Sequence, residues 1–77
     1  MSKLPQQLIA ISSPYIKLDS LLKLANLCMS GGEAKILILD GQVRVNGEVC
    51  LQRGKKIFPG DLVSCLGQSL KVTADEA

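Results

Sequence analysis

Histidine and tryptophan are absent from this sequence, which holds a single tyrosine and a single phenylalanine. Without histidine the chain lacks the commonest general base and the commonest metal ligand. Its three cysteines, Cys28, Cys50 and Cys65, are odd in number and never fall as Cys-x-x-Cys. Zinc sites and disulfide frameworks need closely spaced or even-numbered cysteines, so these three are expected to be small buried hydrophobes in a reducing compartment. No segment approaches the ~20 apolar residues that span a bilayer, and no basic start leads into a long apolar run. A soluble, cytoplasmic protein is expected. With 77 residues the chain is expected to make one domain, 1–77, in which a buried substrate pocket of roughly 300 Å³ or more is hard to fit.

Charge is present but unevenly spread. The net charge is only +2. Residues 41–60 hold Arg44, Arg53, Lys55 and Lys56 against Glu48 alone, a local +3. Residues 61–77 hold Lys71 against Asp61, Asp75 and Glu76, a local −2. A basic block beside an acidic end suggests a polyanion at one face.

The most informative stretch runs from Ser30 to Lys56. Ser30 followed three residues later by Glu33 is a capping box, so a helix is expected from about Gly31 to Leu39 or Asp40. Gly41 closes it, because glycine readily takes the left-handed conformation of a helix end. Val43-Arg44-Val45 alternates as a strand, with Arg44 outward, and Asn46-Gly47 is a strong hairpin signal. Glu48 to Leu51 returns as the second arm. Two glycines in the first turn of the helix, Gly31 and Gly32, admit two explanations. Either another helix approaches closely there, or the bare backbone N–H groups make an anion site.

Around that stretch, Leu8–Ile11 lies between Pro5 and Pro14 and reads as a strand. Leu18, Leu21, Leu22, Ala25 and Cys28 form one apolar stripe, predicting a first helix from Lys17 or Leu18 that closes through Leu27, Cys28 and Met29. Lys23 falls on its solvent side. In the second helix Ala34, Ile36, Leu37 and Ile38 are expected to bury, with Lys35 off that stripe. Pro59-Gly60-Asp61 and Gly67-Gln68 read as turns, with strands at Ile57 or Leu62–Ser64 and at Leu70–Val72. Both chain ends, up to Gln7 and from Thr73, are expected to be loose.

In their order and spacing, these residues resemble a known family. Lys17-Leu18-Asp19-x-x-Leu, Ser30-x-x-Glu-Ala-Lys-x-Leu-Ile, Gly41-x-Val-x-Val-Asn-Gly and Gly60-Asp61-x-Val63 resemble the S4 RNA-binding domain, over a motif core of about residues 15–65. Leu21 to Leu24, Ser30 to Lys35 and Arg53 to Lys56 are most similar to small stand-alone bacterial S4-like proteins. The resemblance implies an α+β fold, two packed helices against a small, mainly antiparallel sheet, carrying what is called the αL RNA-binding motif. It also implies a non-enzymatic RNA-binding protein acting in translation. Many S4 domains have an arginine directly after the serine, where this chain has Gly31, leaving the backbone at Gly31 and Gly32 to meet a phosphate.

The candidate RNA contacts are accordingly Lys23, Ser30, Gly31, Lys35 and Arg44, with Asn46 of the hairpin motif and Arg53, Lys55 and Lys56 of the basic loop. The cations are expected to line one groove. Few aromatics are available to stack single-stranded bases, which favours structured or double-stranded RNA, ribosomal or transfer, read by its backbone. The protein is expected to be a monomer with no cofactor, no metal and no membrane partner, and to work on or near the ribosome. The alternative is an adaptor that binds a ribosomal protein or an RNA-processing enzyme.

Overall fold

Local sequence chemistry sets most of the element boundaries. The computed structural model describes residues 6–75. In chain order these form β1 (Gln6–Ile11), β2 (Ile16–Lys17), α1 (Leu18–Leu24), α2 (Gly31–Leu39), β3 (Val43–Val45), β4 (Glu48–Val49), β5 (Lys56–Ile57), β6 (Leu62–Cys65) and β7 (Gln68–Ala74). Five strands make a sheet in the order β1-β7-β6-β3-β4, and β2 with β5 makes a separate two-stranded ribbon. All pairings are antiparallel except β1 with β7, which is parallel. The expected α+β architecture is therefore present, with a mixed sheet.

The capping box at α2 forms as the spacing predicts. Glu33 N–H donates to Ser30 Oγ at 3.2 Å, and Glu33 Oε1 accepts from Met29 N–H at 2.8 Å. At the other end Gly41 takes φ +78°. Its N–H donates to Ile38 O at 3.1 Å and that of Gln42 to Leu37 O at 3.2 Å. This crossed pair is a Schellman motif.

The first helix is shorter than its apolar stripe suggests. It stops at Leu24, and Asn26 sits left-handed at φ +62°. Asn26 N–H reaches Lys23 O and Leu27 N–H reaches Leu22 O, both at 3.0 Å, a second Schellman closure. Asparagine tolerates that conformation because its short polar side chain suits it. Leu27, Cys28 and Met29 thus lie beyond the helix, though Cys28 still turns into the core.

One apolar cluster joins helices and sheet. Leu18, Leu21 and Leu22 of α1, Ala34 and Ile38 of α2, and the inward residues of β1, β3, β6 and β7 all belong to it. No polar or charged side chain is buried among the described residues. Ile36, expected inside, is instead exposed at 68%, and Leu37 is only half-buried. Four consecutive apolar residues wrap around α2, so they cannot all face the core. Among the cysteines, Cys28 and Cys65 are buried but Cys50 only half so. Burial pushes the Cys65 thiol above its ordinary pKa. Burial also raises that of Cys28, and the Glu33 carboxylate adds to it.

The remaining boundaries differ modestly from expectation. Gln6 and Gln7 belong to β1, and Thr73 and Ala74 to β7, so those parts of the ends are ordered as strands. The rest of the expected loose ends lies outside the described residues. The last hairpin turns at Leu66-Gly67, with φ +54° and +76°, one residue before the expected place. No helix among the described residues is long and apolar enough to cross a membrane.

Candidate nucleic-acid interface

The start of α1 gathers the basic loop. Lys17 supplies no capping side chain there. Instead Leu18 N–H donates to Lys55 O at 2.9 Å and Asp19 N–H to Arg53 O at 3.0 Å. Two backbone groups that a helix end leaves without partners are satisfied by the loop itself. These bonds hold the backbone of Arg53–Lys55 against the helix and leave its side chains in solvent; Arg53, Lys55 and Lys56 are all exposed. In the ribbon, β2 and β5 bring Lys17 directly opposite Lys56. Lys17 was not singled out from the sequence. Its signal is a pairing between two-residue strands some forty residues apart, which local patterns do not reveal.

The Asn46-Gly47 hairpin flanks this loop. Both residues have positive φ, +53° and +88°, as a type I′ turn requires. An open groove of about 490 Å³ runs beside it, lined by Val45, Asn46, Glu48, Val49, Cys50, Leu51, Gln52 and Lys55. Asn46 does not simply project into that groove. Its amide oxygen accepts from Leu62 N–H at 2.9 Å, and its amide N–H donates to Asp61 Oδ1 at 3.3 Å. Asp61 Oδ2 in turn accepts from Phe58 N–H at 2.9 Å. Asn46 therefore ties the hairpin to the Pro59-Gly60-Asp61 turn, and the Asp61 carboxylate tempers the local positive charge.

The expected cations do not all share one groove. Only Lys55 among them lines the groove beside the hairpin. Arg44 is exposed on β3 between buried Val43 and Val45, so it stands on the outer face of the sheet, across from Val49 and Ser64. Arg44 does not line the groove, although its ladder partner Val49 does. Lys35 is exposed on α2 and Lys23 on the last turn of α1. The cationic surface is a cluster at the start of α1 with single charges around it.

At the start of α2 the two explanations of the glycine pair separate. A Cβ added to Gly31 would meet nothing within 4 Å, and one added to Gly32 would meet only Ser30 Oγ at 3.7 Å. Close helix approach does not require these glycines. Ser30 Oγ is engaged by Glu33, so it is the backbone at Gly31 and Gly32 that stands at the positive end of the helix.

Comparison with known proteins bears on this arrangement. A family model described as the S4 domain matches residues 9–73. The chain belongs to that family. As an S4 domain it is 44% identical over 61 residues to a protein of Escherichia coli named "Putative RNA-binding protein YbcJ", spanning 79% of this chain and 87% of the relative. It is 41% identical over 59 residues to the "Probable ribosome maturation protein RlbA" of Bacillus subtilis, spanning 77% of this chain and 83% of the relative. The solution structure of E. coli YbcJ superposes with a TM-score of 0.66 at 39% identity, covering 96% of this chain and 92% of YbcJ. That structure is described as revealing an αL motif involved in RNA binding. The S4 architecture expected from the motifs is thus the one observed.

Proposed function

We propose that this S4 domain is an RNA-binding protein that takes structured RNA, ribosomal or transfer, by its phosphates. The observation that carries the reading is the cluster of Lys17, Arg53, Lys55 and Lys56, held at the start of α1 by backbone bonds. Four cations on a fixed backbone suit a ligand of regularly spaced negative charge. YbcJ is named for RNA binding and RlbA for ribosome maturation, and both names accord with it. The same reading has the chain acting as one S4 unit, as a cytoplasmic monomer, close to the ribosome, and without catalysis. Among the described residues no polar or charged side chain is buried, which accords with the last point.

The test is a filter-binding titration of a structured RNA at several salt concentrations. Each phosphate contact releases condensed counterions and adds about −0.9 to the log–log slope, by analogy with duplex DNA. A slope of roughly −3 to −5 is expected from the cluster and one or two outlying charges. A second reading, the adaptor, is favoured by an apolar hollow of about 230 Å³ lined by Leu27, Glu33, Ile36, Leu37 and Leu66. Absence of RNA binding at low salt replaces the first reading by the second.

A further inference from the structure

The two-stranded ribbon has two faces of opposite character. Ile16 and Ile57 pair and turn inward, Ile57 completely buried and Ile16 packed on the core. Strand alternation sends the flanking residues the other way. Lys17 and Lys56 are partners in the ladder, and continuing that register by one step sets Tyr15 across from Phe58. Their rings do meet, with centroids 5.8 Å apart and planes tilted by 48°. Lys56 Nζ stands over the Tyr15 ring, 5.0 Å from its centroid. The two aromatic residues of the chain thus share one outward surface with a pair of lysines.

Two features of this surface are unfavourable in the protein alone. Like charges directly opposite in a ladder repel. Phe58 keeps 48% of its surface in water although it is purely apolar. Neither arises from looseness. Buried Ile57 precedes Phe58, and Asp61 binds the Phe58 backbone from both sides, accepting from its N–H at 2.9 Å and donating to its carbonyl at 3.0 Å. A ligand that is anionic and also presents a flat apolar surface relieves both. A nucleotide is such a ligand, with its phosphate between the lysines and its base on the ring.

We infer that the outward face of the β2–β5 ribbon is a stacking site for an unpaired nucleobase, with Phe58 as the platform and Lys17 and Lys56 holding the adjoining phosphate. The inference rests on the RNA reading above and narrows it: the RNA recognised carries an unpaired nucleotide beside its structured part. Bases inside a duplex are already stacked and cannot reach a protein ring.

The test compares a blunt RNA hairpin, its two strands joined by a flexible polyether linker in place of loop nucleotides, with the same hairpin carrying a short unpaired adenosine run. Stacking on an aromatic is worth about five- to a hundredfold in affinity, so the parent protein should prefer the extended hairpin by that factor. Phe58→Leu, which keeps an apolar side chain of similar size, should erase the preference while leaving blunt-hairpin affinity and its salt slope unchanged. Phe58→Tyr should restore it. Tyr15 is the sole tyrosine and there is no tryptophan, so intrinsic fluorescence reports this site alone and should be quenched more by the extended hairpin. Equal affinity of the parent for the two hairpins, or a preference that survives Phe58→Leu, overturns the stacking site and leaves the RNA reading standing. Failure of the parent to bind either hairpin at low salt sinks both.

Discussion

Asn46 and Leu62 are joined twice: the Asn46 N–H donates to Leu62 O at 2.7 Å, and the Asn46 amide oxygen accepts from Leu62 N–H at 2.9 Å. The first bond needs only a backbone, the second needs this side chain. Asn46 also accepts a left-handed φ that most residues resist. Asn46→Gly keeps the conformation and loses the side-chain bonds, which should cost about 0.5–1.5 kcal/mol. Asn46→Ala loses both and should cost more. Gly47→Val should cost roughly 1–3 kcal/mol, because a β-branched residue is strained at that φ. Thermal denaturation of the three variants gives the order directly, and an Asn46→Ala no worse than Asn46→Gly would remove the conformational part of the argument.

The two helices meet the sheet through Leu22 and Ile38, both completely buried. Leu22→Ala and Ile38→Ala should each destabilise by roughly 2–5 kcal/mol, a large part of what a small domain has. Ile36→Ala, two residues from Ile38, should stay within about 0.5 kcal/mol because that side chain is in water. Urea denaturation of all three checks the phasing of α2.

Replacing Arg53, Lys55 and Lys56 together by alanine should weaken RNA binding for every sequence alike and flatten the salt slope by about two or three units. The fold should persist, since the loop is held to α1 by its carbonyls, which alanine retains. Circular dichroism and salt-dependent titration are the measurements. An unchanged slope in a folded variant moves the contacts towards Lys35, Arg44 or the start of α2.

The thiols give a chemical readout. Cys50 lines the groove and is half-buried, whereas Cys28 and Cys65 are buried with thiols pushed up by desolvation. Iodoacetamide should modify Cys50 first, and bound RNA should slow that reaction. The raised pKa values also set a sign. The folded chain keeps these thiol protons to higher pH than the unfolded chain, so stability holds below the ordinary thiol pKa of 9.0 and declines as pH rises beyond it. Cys65→Ala should make that decline shallower in urea titrations across the alkaline range.

Local signals were legible wherever one residue type does one job. Ser30 with Glu33, Gly41, and Asn46-Gly47 each occupy the place their chemistry predicts, and they belong to the motifs whose S4 resemblance implied the α+β class. The end of α1 was harder, because Asn26 does what glycine usually does while the apolar stripe runs on to Cys28. Ile36 was misplaced because α2 is apolar all round its second half. The grouping of Lys17 with Lys56, and of Tyr15 with Phe58, depends on a ladder between distant short strands. The separation of Arg44 from the loop depends on where β3 sits within the assembled sheet. Both are facts of assembly.

The parallel pairing of β1 with β7 sets Gln6 beside Ser69 and Ile11 beside Ala74. The strand made first therefore waits for the strand made last. Closing so long a loop costs entropy before any ladder bond returns it, so this pairing is expected to form late in folding. Until β7 emerges during synthesis, Ile9 and Ile11 have no partner strand to cover them. A newborn chain should be protease-sensitive along β1 after α1 and α2 have already formed, and should become resistant in one concerted event when β7 docks.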